Sequence, residues 1–256
     1  MATQDVLLVA TCMFMCHPGS LARSEKRPKK VDTGASLGIA TVALLTEMDD
    51  PIGRGIGNSL EVEESIRYLQ GKGPEDFDEL VTKLGGHLLH AMGKVGSVEE
   101  GVKNVRSNIE TGKAMEHFRN MLLAQGVSEA NADVLVAGDP WKVLPKASNR
   151  TAIAYAGPPG TIKEIDAMKI GKVCQILGAT RGASTTVDHS VGVRILKGRG
   201  DELAPGTDWV EVFHNKELGQ DVCSLLQESV SVDPTLTGRQ KSSRILKVVT
   251  ASRNSS

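Results

Sequence analysis

Residues 41–46 read TVALLT, a continuous apolar run with no polar alternation. A strand of that kind must be covered on both faces, the position of a central strand in an α/β sheet. It leads into the glycine-rich loop EMDDPIGRGIG and then into NSLEVEESIRYLQ. There Asn58 and Glu61 form a capping-box pattern, and Glu63 and Glu64 suit the positive end of a helix. Val62, Ile66 and Leu69 give that helix one apolar face.

Further helices follow. Pro74 stands at a first helical position, ahead of Phe77, Leu80, Val81, Leu84 and Leu88 at helical spacing. Ser97 and Glu100 form a second capping box ahead of Val102, Val105 and Ile109. Gly112 and Gly126 bracket a helix over 114–125. One strand followed by several helices is not a complete sheet, so residues 31–145 are expected to be the later part of a larger α/β domain. In that arrangement the strand at 41–46 is expected to carry an unpaired edge.

Beyond Pro145 the pattern becomes that of a small α+β domain, over 146–231. Strands are expected at 151–155 and 161–165, joined by Gly-Pro-Pro-Gly, and at 191–196 and 209–213. Helices are expected at 167–177 and 217–229. The polar tail, 232–256, is expected to fray.

Residues 1–30 follow no such pattern. The longest apolar run, 6–16, falls short of the roughly 20 residues a membrane helix needs. Asp5 and the lack of Lys or Arg ahead of it argue against a secretory leader, so a cytoplasmic, reducing setting is expected. A basic, proline-broken stretch follows at 23–30. Cys12, Cys16, Cys174 and Cys223 form no CxxC pair. Cys12, Cys16 and His17 lack the further ligands of a structural zinc site, and buried thiols are expected instead. Lys plus Arg (30) and Asp plus Glu (31) nearly cancel, and only 4 Phe, 2 Trp and 2 Tyr are present. Neither an electrostatic nor a stacking surface for nucleic acid is provided, and no membrane partner is expected.

Four places could carry chemistry. The loop PIGRGIG (51–57) lies between a strand and a helix, where backbone amides can cradle phosphate, yet it has neither GxGxxG spacing nor a Lys-Ser/Thr pair. A tight turn with an exposed Arg54 is the plainer reading. A third uses carbonyl oxygens and one carboxylate to hold a hard cation. Lys169 in DAMKI matches the string that carries biotin in carrier domains, but Asp166 as N-cap and the spacing of Ala167, Ile170, Cys174 and Leu177 put it in a helix. Asp188, His189 and Ser190 are consecutive, which suits a local turn rather than a converging triad. His87, His90, His117 and His214 show no metal spacing and are expected on the surface or on helices.

Taken together, TVALLTEMDDPIGRGIGNSLEVEE resembles the strand–loop–helix of thymidine phosphorylase and related pyrimidine-nucleoside phosphorylases. EIDAMKIGKVCQILGATRG, VDHSVGV and GDELAPG resemble that family's C-terminal domain, and GKGPEDFDELVTKLGGHLL and LLAQGV fit the same register. The resemblance runs from about residue 31 to about 229. The Met-Asp with Gly-Arg pattern leans towards the animal enzymes.

This resemblance implies a transferase (a pentosyltransferase) of pyrimidine nucleoside metabolism. Phosphate attacks the anomeric carbon of thymidine, giving thymine and 2-deoxyribose 1-phosphate through an oxocarbenium-like transition state. It implies a homodimer whose contacts lie mainly in a small helical domain, so dimerisation is not expected of this chain. The family's phosphate loop, base-binding residues and catalytic His all lie ahead of TVALLT, and only 30 residues precede Val31. No catalytic residue is therefore carried over, and the chain is expected to be a truncated, inactive form with an alternative start over 1–30. A monovalent-cation (potassium) site is implied in part, with Ile52 and Gly55 supplying carbonyls and Glu64 a carboxylate. Two other readings stand beside this one, a non-catalytic interaction module and a biotin-type carrier.

Overall fold

The structure, a computed structural model, describes residues 6–13, 28–180, 186–236 and 243–250. In chain order the elements are β1 (Val6–Met13), α1 (Pro28–Ser36), β2 (Ala40–Glu47), β3 (Gly55–Ile56), α2 (Asn58–Leu69), α3 (Glu75–Ala91), α4 (Val98–Glu110), α5 (Lys113–Ala124) and α6 (Glu129–Ala137). A 3-10 turn (Pro140–Lys142) follows, then β4 (Asn149–Ala154), β5 (Gly160–Ile165), α7 (Ala167–Leu177), β6 (Gly192–Ile195), β7 (Glu202–Leu203), β8 (Asp208–His214), α8 (Gln220–Ser229), β9 (Val230–Asp233) and β10 (Ile245–Thr250). The mixture of helices and small sheets is the α/β plus α+β class expected. The chain forms two compact units, each discontinuous in sequence.

The first unit gathers β1, α1, β2, α3, α4 and β10. Its sheet has the order β1-β2-β10. β1 runs parallel to β2, from Val6 opposite Ala40 to Met13 opposite Glu47. β10 runs antiparallel on the other side, from Ile245 opposite Thr46 to Thr250 opposite Val42, with one irregularity between Ile245 and Lys247. The expected unpaired edge of β2 is thus corrected, because both of its edges are taken. Residues 6–13 of the apolar run at the start of the chain form one of these strands. The tail expected to fray supplies the other, since its ILKVVT segment has the β-branched content of a strand. β2 is central, as its unbroken apolar pattern requires, and Ala43, Leu44, Leu45 and Thr46 are buried in succession. α1 and α3 pack against it, and α3 packs along α4.

The second unit gathers β3, α2 and every element from α5 to β9. Strands β3-β6-β8-β4 form one antiparallel sheet and β7-β5-β9 another. Gly-Pro-Pro-Gly therefore does not close a hairpin but carries the chain from one sheet to the other. The core centres on fully buried Trp209, with Val193, Val210 and Val212 from the first sheet. Ile162 comes from the second, and Val173 and Leu226 come from α7 and α8. Trp209, Glu211 and Phe213 alternate along β8 with Val210, Val212 and His214, and all but Phe213 are buried, so both faces of the strand are covered.

Candidate functional site

The glycine-rich loop belongs to the second unit. Its start is pinned by Asp50, which is 4% exposed. One carboxylate oxygen of Asp50 accepts the Ile165 amide at 2.5 Å, and the other accepts Arg199 Nη1 at 3.1 Å. The neighbouring Asp49 carbonyl accepts the Ala167 amide at 2.8 Å, at the start of α7. The end of the loop becomes β3, with Gly55 opposite Arg194 and Ile56 opposite Val193.

Glu64, midway along α2, turns its carboxylate back into the loop. It accepts the Arg54 amide at 2.9 and 3.1 Å and the Gly55 amide at 3.2 Å. Gly53 adopts φ +72°, and the place a Cβ would take there is filled by Glu64 Oε2. The Gly57 amide is taken by Glu61 Oε1 at 3.1 Å. The amides that could have cradled phosphate at Arg54, Gly55 and Gly57 therefore hold the protein's own carboxylates. A backbone nest of this kind favours negative charge, and here α2 supplies that charge itself. Arg54 is about one-third exposed rather than free in solvent. Its guanidinium packs against Gly198, and its Nη2 lies 3.7 Å from Asp201 Oδ2.

Of the three expected cation ligands, Ile52 and Gly55 lie on the loop and Glu64 on α2, and the Glu64 carboxylate meets the Gly55 amide. One carboxylate and two carbonyls make a set of hard oxygen donors, of the kind alkali cations accept, but fewer than a complete coordination shell. Among the described residues, no group of three or more His, Cys, Asp or Glu side chains is placed to hold a metal ion.

α2 differs from its expected start. Gly57, at φ 130°, is the N-cap, and the Asn58 side chain instead donates to the Ala179 carbonyl at 3.0 Å. Val62, expected on the apolar face, is 37% exposed, whereas Leu60, Glu63 and Ile66 are buried. The face is rotated because Glu63 meets Arg194 Nη2 at 3.0 Å. Arg194 also lies over the Phe213 ring, 5.3 Å from its centroid.

The remaining candidates resolve locally. Lys169 lies in the first turn of α7, where Asp166 caps the Met168 and Lys169 amides. Its ammonium donates to the Glu228 carbonyl at 2.9 Å, so it is not a hairpin-tip lysine. Asp188 and Ser190 form a turn, with Asp188 Oδ1 accepting Ser190 N at 2.9 Å and Oγ at 2.6 Å. His189 offers its carbonyl to the Ser59 amide. His87 and His90 lie on α3 and His117 on α5, and burial followed by the Lys83 charge pushes His87 down. His214 departs from the expectation. It is a buried strand residue whose Nε2 lies 2.9 Å from Thr151 Oγ1 and whose Nδ1 lies 2.6 Å from the Lys216 carbonyl. Burial, and then the nearby Glu61 charge, push the Cys174 thiol up to about 12. Cys16 and His17, and with them the zinc reading, lie outside the described residues.

Asp50, Arg199 and Arg194, and the role of Glu63 beyond that of a helix-start acid, escaped the sequence reading. Their pairings span 131 to 149 residues of chain, and no local spacing encodes them. The DD ahead of PIGRGIG was the one available signal, as two acids at a strand-to-loop junction.

Residues 10–115 match the glycosyl transferase family a/b domain, and residues 161–233 match the pyrimidine nucleoside phosphorylase C-terminal domain. The first match begins at residue 10, inside the segment that the motifs had left unmatched. Among curated relatives, the pyrimidine-nucleoside phosphorylase of Geobacillus stearothermophilus is 36% identical over 206 residues, 80% of this chain and 46% of that one. Human thymidine phosphorylase is 38% identical over 189 residues, 72% of this chain and 39% of that one. The chain thus spans less than half the length of these relatives. Two family segments in the family's order, on a fold of the matching class, place the chain in the thymidine and pyrimidine-nucleoside phosphorylase family.

Proposed function

We propose that the protein derives its role from the reversible phosphorolysis of thymidine to thymine and 2-deoxyribose 1-phosphate, and that these 256 residues by themselves do not carry out that reaction. One observation carries the first part, the ordered match of both segments to relatives named as thymidine and pyrimidine-nucleoside phosphorylases. The loop chemistry supports the second. Phosphorolysis needs a site that holds phosphate against the anomeric carbon. The loop amides of Arg54, Gly55 and Gly57 are already committed to Glu64 and Glu61. The test is thymine release from thymidine and phosphate by the purified chain, beside an active full-length phosphorylase. No release is expected, and turnover that survives removal of contaminating phosphorylase overturns the inactive reading.

The proposal extends to a potassium ion, for which the carbonyls of Ile52 and Gly55 and the carboxylate of Glu64 are this segment's share of the ligands. The cation would supply charge balance at Glu64 and stiffen the loop. Thermal melting in potassium chloride against choline chloride at equal ionic strength checks this. Stabilisation by potassium that Glu64→Gln abolishes is expected, and identical melting in both salts counts against it. A cytoplasmic location belongs to the same proposal, and no helix among the described residues is long and apolar enough to cross a membrane.

A further inference from the structure

β10 occupies an edge of β2 without joining the core. None of its side chains is buried, and Leu246 and Val248 are 50% and 39% exposed. The apolar burial that ordinarily fixes a strand is therefore small here. What holds β10 is polar, and it is concentrated at the two residues just ahead of the strand. The two oxygens of Glu79 take two successive residues, with Ser243 Oγ donating to Oε1 at 2.7 Å and the Arg244 amide to Oε2 at 2.9 Å. The Arg244 guanidinium donates to Asp76 Oδ2 at 2.9 Å, with its side chain only 12% exposed. The Arg244 carbonyl then accepts the Glu47 amide at 2.8 Å, starting the ladder. Asp76 and Glu79 lie near the N-terminus of α3, where the helix dipole favours their negative charge.

We propose that β10 is a detachable latch over the second edge of β2, and that Arg244, clamped between Asp76 and Glu79, is its pin. With the pin in place the backbone groups along that edge are paired. With the guanidinium removed, only the Glu79 contacts and the ladder hold a strand that buries little apolar surface, and β2 opens more readily to strand addition. A charge clamp of this type also loosens as salt screens it.

Hydrogen exchange of the full chain, resolved by peptide, tests the latch. Arg244→Ala is expected to speed exchange over residues 42–46 about tenfold or more, while peptides from β6 and β8 keep their rates. Asp76→Asn leaves every residue of β10 in place and is expected to shift the same peptide in the same direction. Raising the salt from about 0.05 M to 1 M is expected to do likewise in the unaltered chain. Unchanged exchange over 42–46 in both variants overturns the proposal. Loss of protection across α3 and α4 together with β2 also overturns it, because β10 would then be an integral strand rather than a latch.

Discussion

Asp188 illustrates how a single side chain closes a turn in this molecule. Burial pushes its carboxyl up, but the hydroxyl and amide of Ser190 and the Asn215 amide outweigh that and hold it below the usual aspartate value. A carboxylate with a depressed folded pKa stabilises fully above its ordinary titration range. That stabilisation is lost as pH falls through the lowered folded value. Asp188→Asn is therefore expected to lower stability at neutral pH by about 1 kcal/mol, a hydrogen-bond value reduced by solvent screening. The difference from the unaltered chain shrinks towards zero in strong acid. Urea unfolding midpoints between pH 7 and pH 3 check this, and a pH-independent difference would contradict it. Gly57 makes the complementary point, because its φ of +130° and its approach to the Val191 carbonyl, 2.5 Å from an added Cβ, leave no space for a side chain.

The two capping boxes separate what local pattern decides from what neighbours decide at the scale of elements. Ser97 behaves as its spacing predicts. Its hydroxyl accepts the Glu100 amide at 3.1 Å, and the Glu100 carboxylate accepts the Gly96 amide at 2.8 Å. Ser97→Ala is expected to cost about 1 kcal/mol. Circular dichroism during thermal unfolding should show the loss, and an unchanged transition would remove Ser97 as the cap of α4. The same pattern at Asn58 gives way, because the Ala179 carbonyl, 121 residues away, recruits that side chain and Gly57 becomes the cap. α7 shows the opposite balance. Its bounds, its Asp166 cap and its buried Ile170 and Cys174 were all readable, since cap, period and stop lie within a dozen residues. β10 was missed because its signal is one short β-branched run, ILKVVT, which shows no apolar alternation and stands alone in a polar tail.

Across the whole molecule, the decisive contacts are long in sequence. Asp50 joins the loop after β2 to the end of β5 and to Arg199, across 115 and 149 residues. Asp50→Ala removes the acceptor of a buried amide and half of a partly buried ion pair. A loss of about 2–3 kcal/mol is expected, read as a lower urea midpoint. Asp50→Asn, which keeps an acceptor, should recover part of it, and equal loss in both variants would refute the hydrogen-bonding role. The candidate loop was found from sequence because glycines and flanking elements mark a loop on their own. Its occupant was not found, because Glu64 reads locally as a helix-start acid, and only folding turns it back onto the Arg54 and Gly55 amides.

The sequence by itself determined the α/β class, most helix bounds, the central burial of β2 and the family. These follow from spacing, capping residues and ordered motifs carried within short stretches of chain. The tertiary structure decided which strands flank β2, which side chains fill the glycine loop and which distant charges meet. Those choices depend on closing long loops and on which edges and donors remain available once neighbours are in place, and no local pattern records either.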